Sequence, residues 1–308
     1  MLRVQASARG QSNLIQQIPK GTLGSMKRRF TLLIGKQTCL ELGQRTAIAG
    51  VLNVTPDSFS DGGLYQDAGA AIDRALEIEA EGADIIEMGG ESTRPGARPL
   101  AAEAELARIV PVLKGLASRV RIPIAVDTYK SQVARAAIEL GAQIINDISA
   151  LRFDPKVADV AAAGGAALVL MHMRGNPQTM QKLDPSPDIL AEIERDLTAA
   201  ALQAAAAGIT PDRIILDPGI GFGKTLGQNL EIINNLDRLS KMGYPLMVGP
   251  SRKWFIGKLT GRPESEREFG TAAAVTAAVL NGAHLVRVHD VKDMADVVRV
   301  ADALAGSD

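Results

Sequence analysis

The chain has 308 residues, 46% of them hydrophobic, which suffices for one barrel-sized domain of about 250 residues plus an extension. Lys+Arg of 34 against Asp+Glu of 35 gives a net charge of -1, which excludes the basic stripe of a nucleic-acid binder, and no apolar run approaches the ~20 residues of a membrane span. The single cysteine, Cys39, excludes an intrachain disulfide and fits a reducing, cytoplasmic setting; with only three histidines beside it, a zinc site is not expected.

Residues 1–40 contain no Asp or Glu, while Arg3, Arg9, Lys20, Lys27, Arg28, Arg29 and Lys36 are basic. Such a start reads as a flexible, disordered extension, as residues upstream of a start at Met26, or as an organellar transit peptide. Residues 1–28 are therefore set apart from the fold, and 29–308 are read as one domain. Residues 30–34 and 39–42 flank Gly35 and Lys36, predicting a short N-terminal β-hairpin that caps the bottom of this domain. From there, runs rich in Ile, Val and Leu recur at 47–52, 84–88, 124–126, 143–145, 167–171, 213–216, 245–248 and 283–288. Each is too short for a buried helix and is read as a strand covered on both faces. Between them, 69–81, 101–116, 131–140, 189–207, 226–241 and 268–280 carry apolar residues at helical spacing, often ending in glycine (Gly82, Gly141, Gly208, Gly243). Eight strands alternating with helices predict a parallel α/β sheet. The count, and the polar residues that follow nearly every strand, favour a closed (β/α)8 TIM barrel over an open doubly wound sheet.

Taken in the same order, the first polar residues after the strands are Asn53 and Asp57; Glu87, Glu91, Thr93 and Arg94; Asp127; Asn146 and Asp147; His172; Asp217; Ser251, Arg252 and Lys253; and Arg287, His289 and Asp290. Buried without partners, such groups cost about 1–3 kcal/mol each. Asp57 or Asp127 alone could be a helix cap, but the convergence of the whole set on one rim argues for a site. Arg94, Lys253, Arg287 and His289 offer positive charge and planar donors to phosphate oxygens. Asp127, Asn146 and Asp217 offer acceptors and an amide to a heterocycle edge rich in N–H groups. The stretch DPGIGFGKT at 217–225 ends like a phosphate-binding P-loop, yet the first glycine of that motif falls on Pro218. Nor does it make G-x-G-x-x-G, because Lys224 and Leu226 take the third glycine position. Its glycines are read as a sharp turn that leaves Phe222 on a mobile rim.

These motifs resemble the dihydropteroate synthases. LNVTPDSFSDGG at 52–63 and GGESTRPG at 89–96 are similar to that family's first and second signatures. DT at 127–128, INDI at 145–148, MHM at 171–173, DPGIGFGK at 217–224, SRK at 251–253 and VRVHD at 286–290 follow in the family's order, so that the resemblance spans 28–305. It implies an enzyme of folate biosynthesis that condenses 6-hydroxymethyl-7,8-dihydropterin pyrophosphate with p-aminobenzoate, by an SN1-like substitution in a homodimer. It implies that Asp127, Asn146, Asp217 and Gly221 hold the pterin edge, Lys253 its ring, and Ile148 and Met171 its apolar sides, although the last two could equally be ordinary core. It places the diphosphate over Asn53, Thr93, Arg94, Arg287 and His289, with Asn53 also reaching Mg2+. For His289 a loop-capping role competes, and His172 is assigned structural support. Loops 55–63 and 92–99 would close over p-aminobenzoate or a sulfonamide mimic, framed by Phe59, Thr93, Pro95, Phe222 and Lys253. Trp254 would stand beside it, where relatives often carry a small or basic residue. The catalytic set implied is Asn53, Arg94, Lys253, Arg287 and His289. No side-chain nucleophile is required, and none presents itself, since Ser251 has no obvious His partner and Cys39 precedes the barrel. A pterin-binding barrel that transfers methyl groups to a corrinoid would lack the 53–63 lid and SRK, and a non-catalytic homologue would be expected to lose Asn53, Arg94 or Lys253. All are present.

Overall fold

The computed structural model describes residues 27–35, 38–54 and 64–306. Strand β1 (Phe30–Ile34) pairs antiparallel with β2 (Thr38–Leu42), forming the expected hairpin. Eight strands come after it: β3 (Ala47–Asn53), β4 (Ile85–Gly89), β5 (Ile124–Asp127), β6 (Ile144–Asp147), β7 (Ala167–Met171), β8 (Ile214–Asp217), β9 (Met247–Val248) and β10 (Leu285–Val288). They pair in parallel in the order β8-β7-β6-β5-β4-β3-β10-β9. The ring closes between its two end strands by a single bridge, Leu216 to Leu246, where the Leu216 N–H donates to the Pro245 carbonyl at 3.0 Å. This is the TIM barrel. Strand β9 is shorter than its apolar run because Pro245 has no N–H to give the ladder and Gly249 follows it.

The helices are α1 (Leu64–Ala80), α2 (Ala102–Leu116), α3 (Ser131–Glu139), α4 (Lys156–Gly164), α5 (Ile189–Ala206), α6 (Leu226–Asn234), α7 (Leu236–Ser240), α8 (Trp254–Thr260), α9 (Glu268–Leu280) and α10 (Val291–Ala305). The single helix expected over 226–241 is broken at Asn235, whose side-chain amide donates to the Glu231 carbonyl at 2.7 Å and competes with the backbone ladder.

Strand alternation sorts the core into two layers. Outward residues such as Ile48, Ile86, Val126, Leu168 and Val286 pack under helix residues such as Ile78, Ile109 and Val133. Inward residues Ala49, Ile85, Ala125, Ile144, Val169, Ile215, Met247 and Leu285 form an inner layer, and Leu32, Ile34 and Leu42 of the hairpin plug it from below. The hairpin is tied in place by Arg213, which donates to the Gly35 carbonyl at 2.8 Å. Lys27, 2.8 Å from Asp302, and Arg28, whose carbonyl lies 3.0 Å from His284 Nε2, also dock on this end, so the barrel body takes in two residues set apart with the extension. Among the described residues, no helix is long and apolar enough to cross a membrane.

Candidate active site

Two residues beyond the inner apolar layer, the same strands turn inward Glu87, Asp127, Asn146, Met171, Asp217 and Arg287, with Val51 and Gly249 in the remaining places. Arg287 is the centre of this floor. Its Nη1 donates to Glu87 Oε1 at 2.9 Å, and its Nη2 donates to Asp217 Oδ2 at 3.0 Å and faces Met171 Sδ at 3.8 Å. A Cβ at position 249 would lie 2.9 Å from Arg287 Nε, so only glycine leaves the guanidinium room. Asn146 Nδ2 donates to the same Glu87 Oε1 at 3.4 Å. Two buried acceptors, Asn146 Oδ1 and Glu87 Oε2, have no partner among the described residues.

Above the floor opens a cleft of about 500 Å³. Burial, then the charge of Glu87, raises the Asp127 carboxyl well above the usual carboxylate range. Burial opposes the charge on Arg287, but Glu87, Asp217 and Asp127 outweigh it and hold the guanidinium protonated. For Lys253, burial and then Arg287 push the ammonium down to about 8, and its Nζ sits 4.3 Å from the centre of the Phe222 ring.

His289 differs from expectation. Burial, then Arg252 and Lys253, push its pKa down to about 3, so near neutral pH it offers an N–H donor and no positive charge. Ser251 does have a histidine partner: its Oγ lies 2.9 Å from His289 Nδ1 and accepts the His289 backbone N–H at 3.3 Å. The hydroxyl proton is thereby left for Nδ1, and Nε2–H is the free donor. Ser251, buried at the cleft wall, orients this imidazole.

Of the residues expected at the site, Asn53, Thr93, Arg94, Pro95 and Asp127 line the cleft on one side. Ile148, Gly221, Phe222, Lys253, Trp254, Arg287 and His289 line the other. Asn146, Met171 and Asp217 are buried beneath it. Asp57 and Phe59, with the rest of loop 55–63, lie outside the described residues. Arg94 is held at the rim by Glu264, 2.8 Å away. Asp147 is a turn former, accepting from the N–H of Ser149 at 2.7 Å and of Leu151 at 2.8 Å.

Phe222 is not on a mobile rim. It is 5% exposed and packs with Ile148, Met171, Met173 and Met180, because its turn is clamped. At Gly219, with φ of +69°, a Cβ would collide with the His172 carbonyl at 1.9 Å. Lys224, the P-loop look-alike, donates to the carbonyls of His172, Gly219 and Phe222 at 3.0, 2.9 and 3.2 Å, and burial lowers its pKa to about 7. His172, lowered by burial to about 4, faces Asp196 at 3.4 Å, in keeping with structural support.

Four contributors carry no expected role. Glu87 bridges two floor residues, Ser251 sets His289, and Glu264 holds Arg94. Glu91, which accepts from Tyr129 Oη at 2.8 Å and Leu100 N–H at 3.2 Å and pairs with Lys130, braces the 92–99 loop. Glu87, Glu91 and Ser251 stand among the polar residues that follow the strands, and Glu87 is further marked as a carboxylate inside the apolar run IIEMG; Glu264 carries no such signal.

A family model described as pterin binding enzyme matches residues 49–289. A dihydropteroate synthase of Synechocystis sp. is 47% identical over 87% of this chain and 93% of its own length. Among solved structures, the Yersinia pestis dihydropteroate synthase in a sulfonamide complex superposes with a TM-score of 0.83 at 38% identity, over 89% of this chain and 99% of that one. The Xanthomonas albilineans enzyme with 4-aminobenzoic acid gives 0.82 at 41%, over 90% and 98%.

Proposed function

The chain belongs to the pterin-binding enzyme family, among its dihydropteroate synthases, and from that membership we infer its reaction. It is a transferase of folate synthesis that condenses 6-hydroxymethyl-7,8-dihydropterin pyrophosphate with p-aminobenzoate, releasing 7,8-dihydropteroate and pyrophosphate. The observation that carries this reading is the half-satisfied floor, where two buried acceptors wait at the bottom of a cleft walled by cations. Each unmade hydrogen bond costs about 1–3 kcal/mol. A flat ring edge rich in N–H recovers that cost, and an attached diphosphate meets the cations.

In this reading Asp127, Asn146 and Asp217 take the pterin edge, with Gly221 behind it, Lys253 on the ring, and Ile148 and Met171 on its faces. Asp217 releases Arg287 Nη2 as it turns to the ring. The diphosphate rests against Asn53, Thr93, Arg94, Arg287 and His289 Nε2–H, and Arg94 leaves Glu264 to reach it. The exposed amide oxygen of Asn53 at the cleft mouth fits one ligand position of Mg2+, with diphosphate and water supplying the others. Bound there, Mg2+ would neutralise charge on the diphosphate. p-Aminobenzoate, or a sulfonamide in its place, lies against Thr93, Pro95, Phe222, Lys253 and Trp254. Preorganised donors stabilise the diphosphate as the methylene–oxygen bond breaks and the electron pair leaves with it. The arylamine lone pair then forms the C–N bond, and the nitrogen sheds a proton. Ser251 stays bonded to His289 throughout.

A homodimer fits the outer surface: α9 is apolar on most sides, and Phe269 on α9 and Val300 and Leu304 on α10 stand 83%, 61% and 61% exposed. Light scattering at single-chain mass would exclude it. A cytoplasmic setting fits the lone, exposed Cys39. The decisive assay mixes the protein with Mg2+ and both substrates and measures pyrophosphate, with and without a sulfonamide. Release no faster than in controls lacking p-aminobenzoate would overturn the reaction.

A further inference from the structure

We propose that Glu87 is a positioning residue of this reaction: it keeps Arg287 anchored in the floor while the pterin takes Asp217, and it sets which face of the Asn146 amide meets the ring. The inference rests on the pterin reading above. Arg287 has two carboxylate anchors, one on each arm, at 2.9 Å to Glu87 and 3.0 Å to Asp217. Once Asp217 serves the ring, Nη2 is free to face the diphosphate, and Glu87 is the anchor that remains. Without it, a long cationic side chain at the heart of the cleft would have no fixed direction.

The amide argument is separate. Asn146 Nδ2 donates to Glu87 Oε1 at 3.4 Å, which turns Oδ1, unpartnered among the described residues, into the acceptor left for a ligand N–H. A flipped amide would present a donor to a donor. Charge balance points the same way. The groups gathered around Glu87 are Asp127 on β5, Asp217 on β8, Lys253 after β9 and Arg287 on β10, with Glu105 and Asp147 acting on Asp127 from further off. Glu87 and Asp217 offset Arg287 and Lys253, so Asp127 is the carboxyl pushed toward its protonated form, and Glu87 is the foremost charge pushing it.

The test compares Glu87→Gln, Glu87→Asp, Arg287→Ala and the double variant Glu87→Gln/Arg287→Ala with the unaltered enzyme, in steady-state kinetics across pH and in thermal melts. A purely structural ion pair predicts a lower melting temperature with unchanged kcat in the folded enzyme. The positioning role predicts that Glu87→Gln lowers kcat by about tenfold to a hundredfold, as misplacement of a reacting group does. It also predicts that the kcat/KM limb belonging to Asp127 moves to lower pH in Glu87→Gln. Glu87→Asp, which keeps the charge, returns that limb toward its original place. In the Arg287→Ala background, Glu87→Gln adds no further loss of kcat, and its remaining effect, through the Asn146 amide, falls on the KM for the pterin. Unchanged kcat with an unmoved limb in Glu87→Gln, or losses that multiply in the double variant, overturns the proposal. Should Glu87→Gln not fold, Glu87→Ala takes its place, and unchanged kcat with an unmoved limb in Glu87→Ala decides against the proposal in the same way. No turnover by the unaltered enzyme would instead sink the reaction itself, and the proposal with it.

Discussion

The two ends of the barrel interior are built from the same strands, two residues apart, and they could hardly differ more. At the lower end Ile85, Ala125, Ile144, Ile215 and Leu285 meet the leucines and isoleucine of the hairpin, and the contacts are wholly apolar. At the upper end Glu87, Asp127, Asn146, Asp217 and Arg287 replace them, and acceptors on Glu87 and Asn146 are left unmatched among the described residues. The lower end supplies the burial that offsets the ordering of the chain, at about 25 cal/mol per Å2 of apolar surface. The upper end spends part of that gain on groups that, in the proposed reading, find their partners in the substrate. Stability and chemistry are thereby separated along each strand, which is the barrel's usual division.

The sharpest attack on this contrast is Asp217→Ala. It removes the proposed ring contact and one of the two carboxylate anchors of Arg287, and breaking such a buried pair costs about 3–5 kcal/mol. Calorimetry should find pterin binding lost by more than about a hundredfold, each 1.4 kcal/mol being tenfold; ordinary affinity would refute the assignment of the floor. At the other end, Leu32→Ala should cost about 2–5 kcal/mol of stability, read as a lowered melting temperature. Its kcat and KM measured well below that temperature should match the parent, and a fallen kcat would dissolve the separation. A pH series sharpens the upper half. Since Lys253 has a lowered pKa of about 8, its charge is present below that pH and lost above it, so kcat/KM should decline about tenfold per unit beyond it. Lys253→Met should show no such limb. The smallest effect is expected of Trp254→Ala, which removes an indole at the outer cleft whose Nε1 is buried without a partner among the described residues. A rise of about threefold to tenfold in the KM for p-aminobenzoate, with pterin affinity unchanged, matches the worth of one aromatic contact.

Much of this was legible in the order of the residues alone. The strands are short apolar runs buried on both faces, and their polar successors mark the upper rim, so the barrel follows from period and the place of the candidate site from position. What escaped has physical causes. The break at Asn235 depends on a side chain bonding the backbone within an otherwise helical pattern. Phe222 looked mobile because glycines flank it, yet Lys224 binds the surrounding carbonyls from within. His289 was credited with charge because desolvation has no signature in a string of letters. Its partner Ser251 stands 38 residues away, a separation that only the parallel pairing of β9 with β10 removes.

The bridge from Leu216 to Leu246 is the thinnest joint in that ring, since β9 contributes just two strand residues beside it. Asp217 stands immediately past one side of the joint and Lys253 a few residues past the other. A bicyclic ligand gripped by both therefore laces the cylinder shut at its weakest stave, and amide protons along that line should exchange more slowly when it is bound.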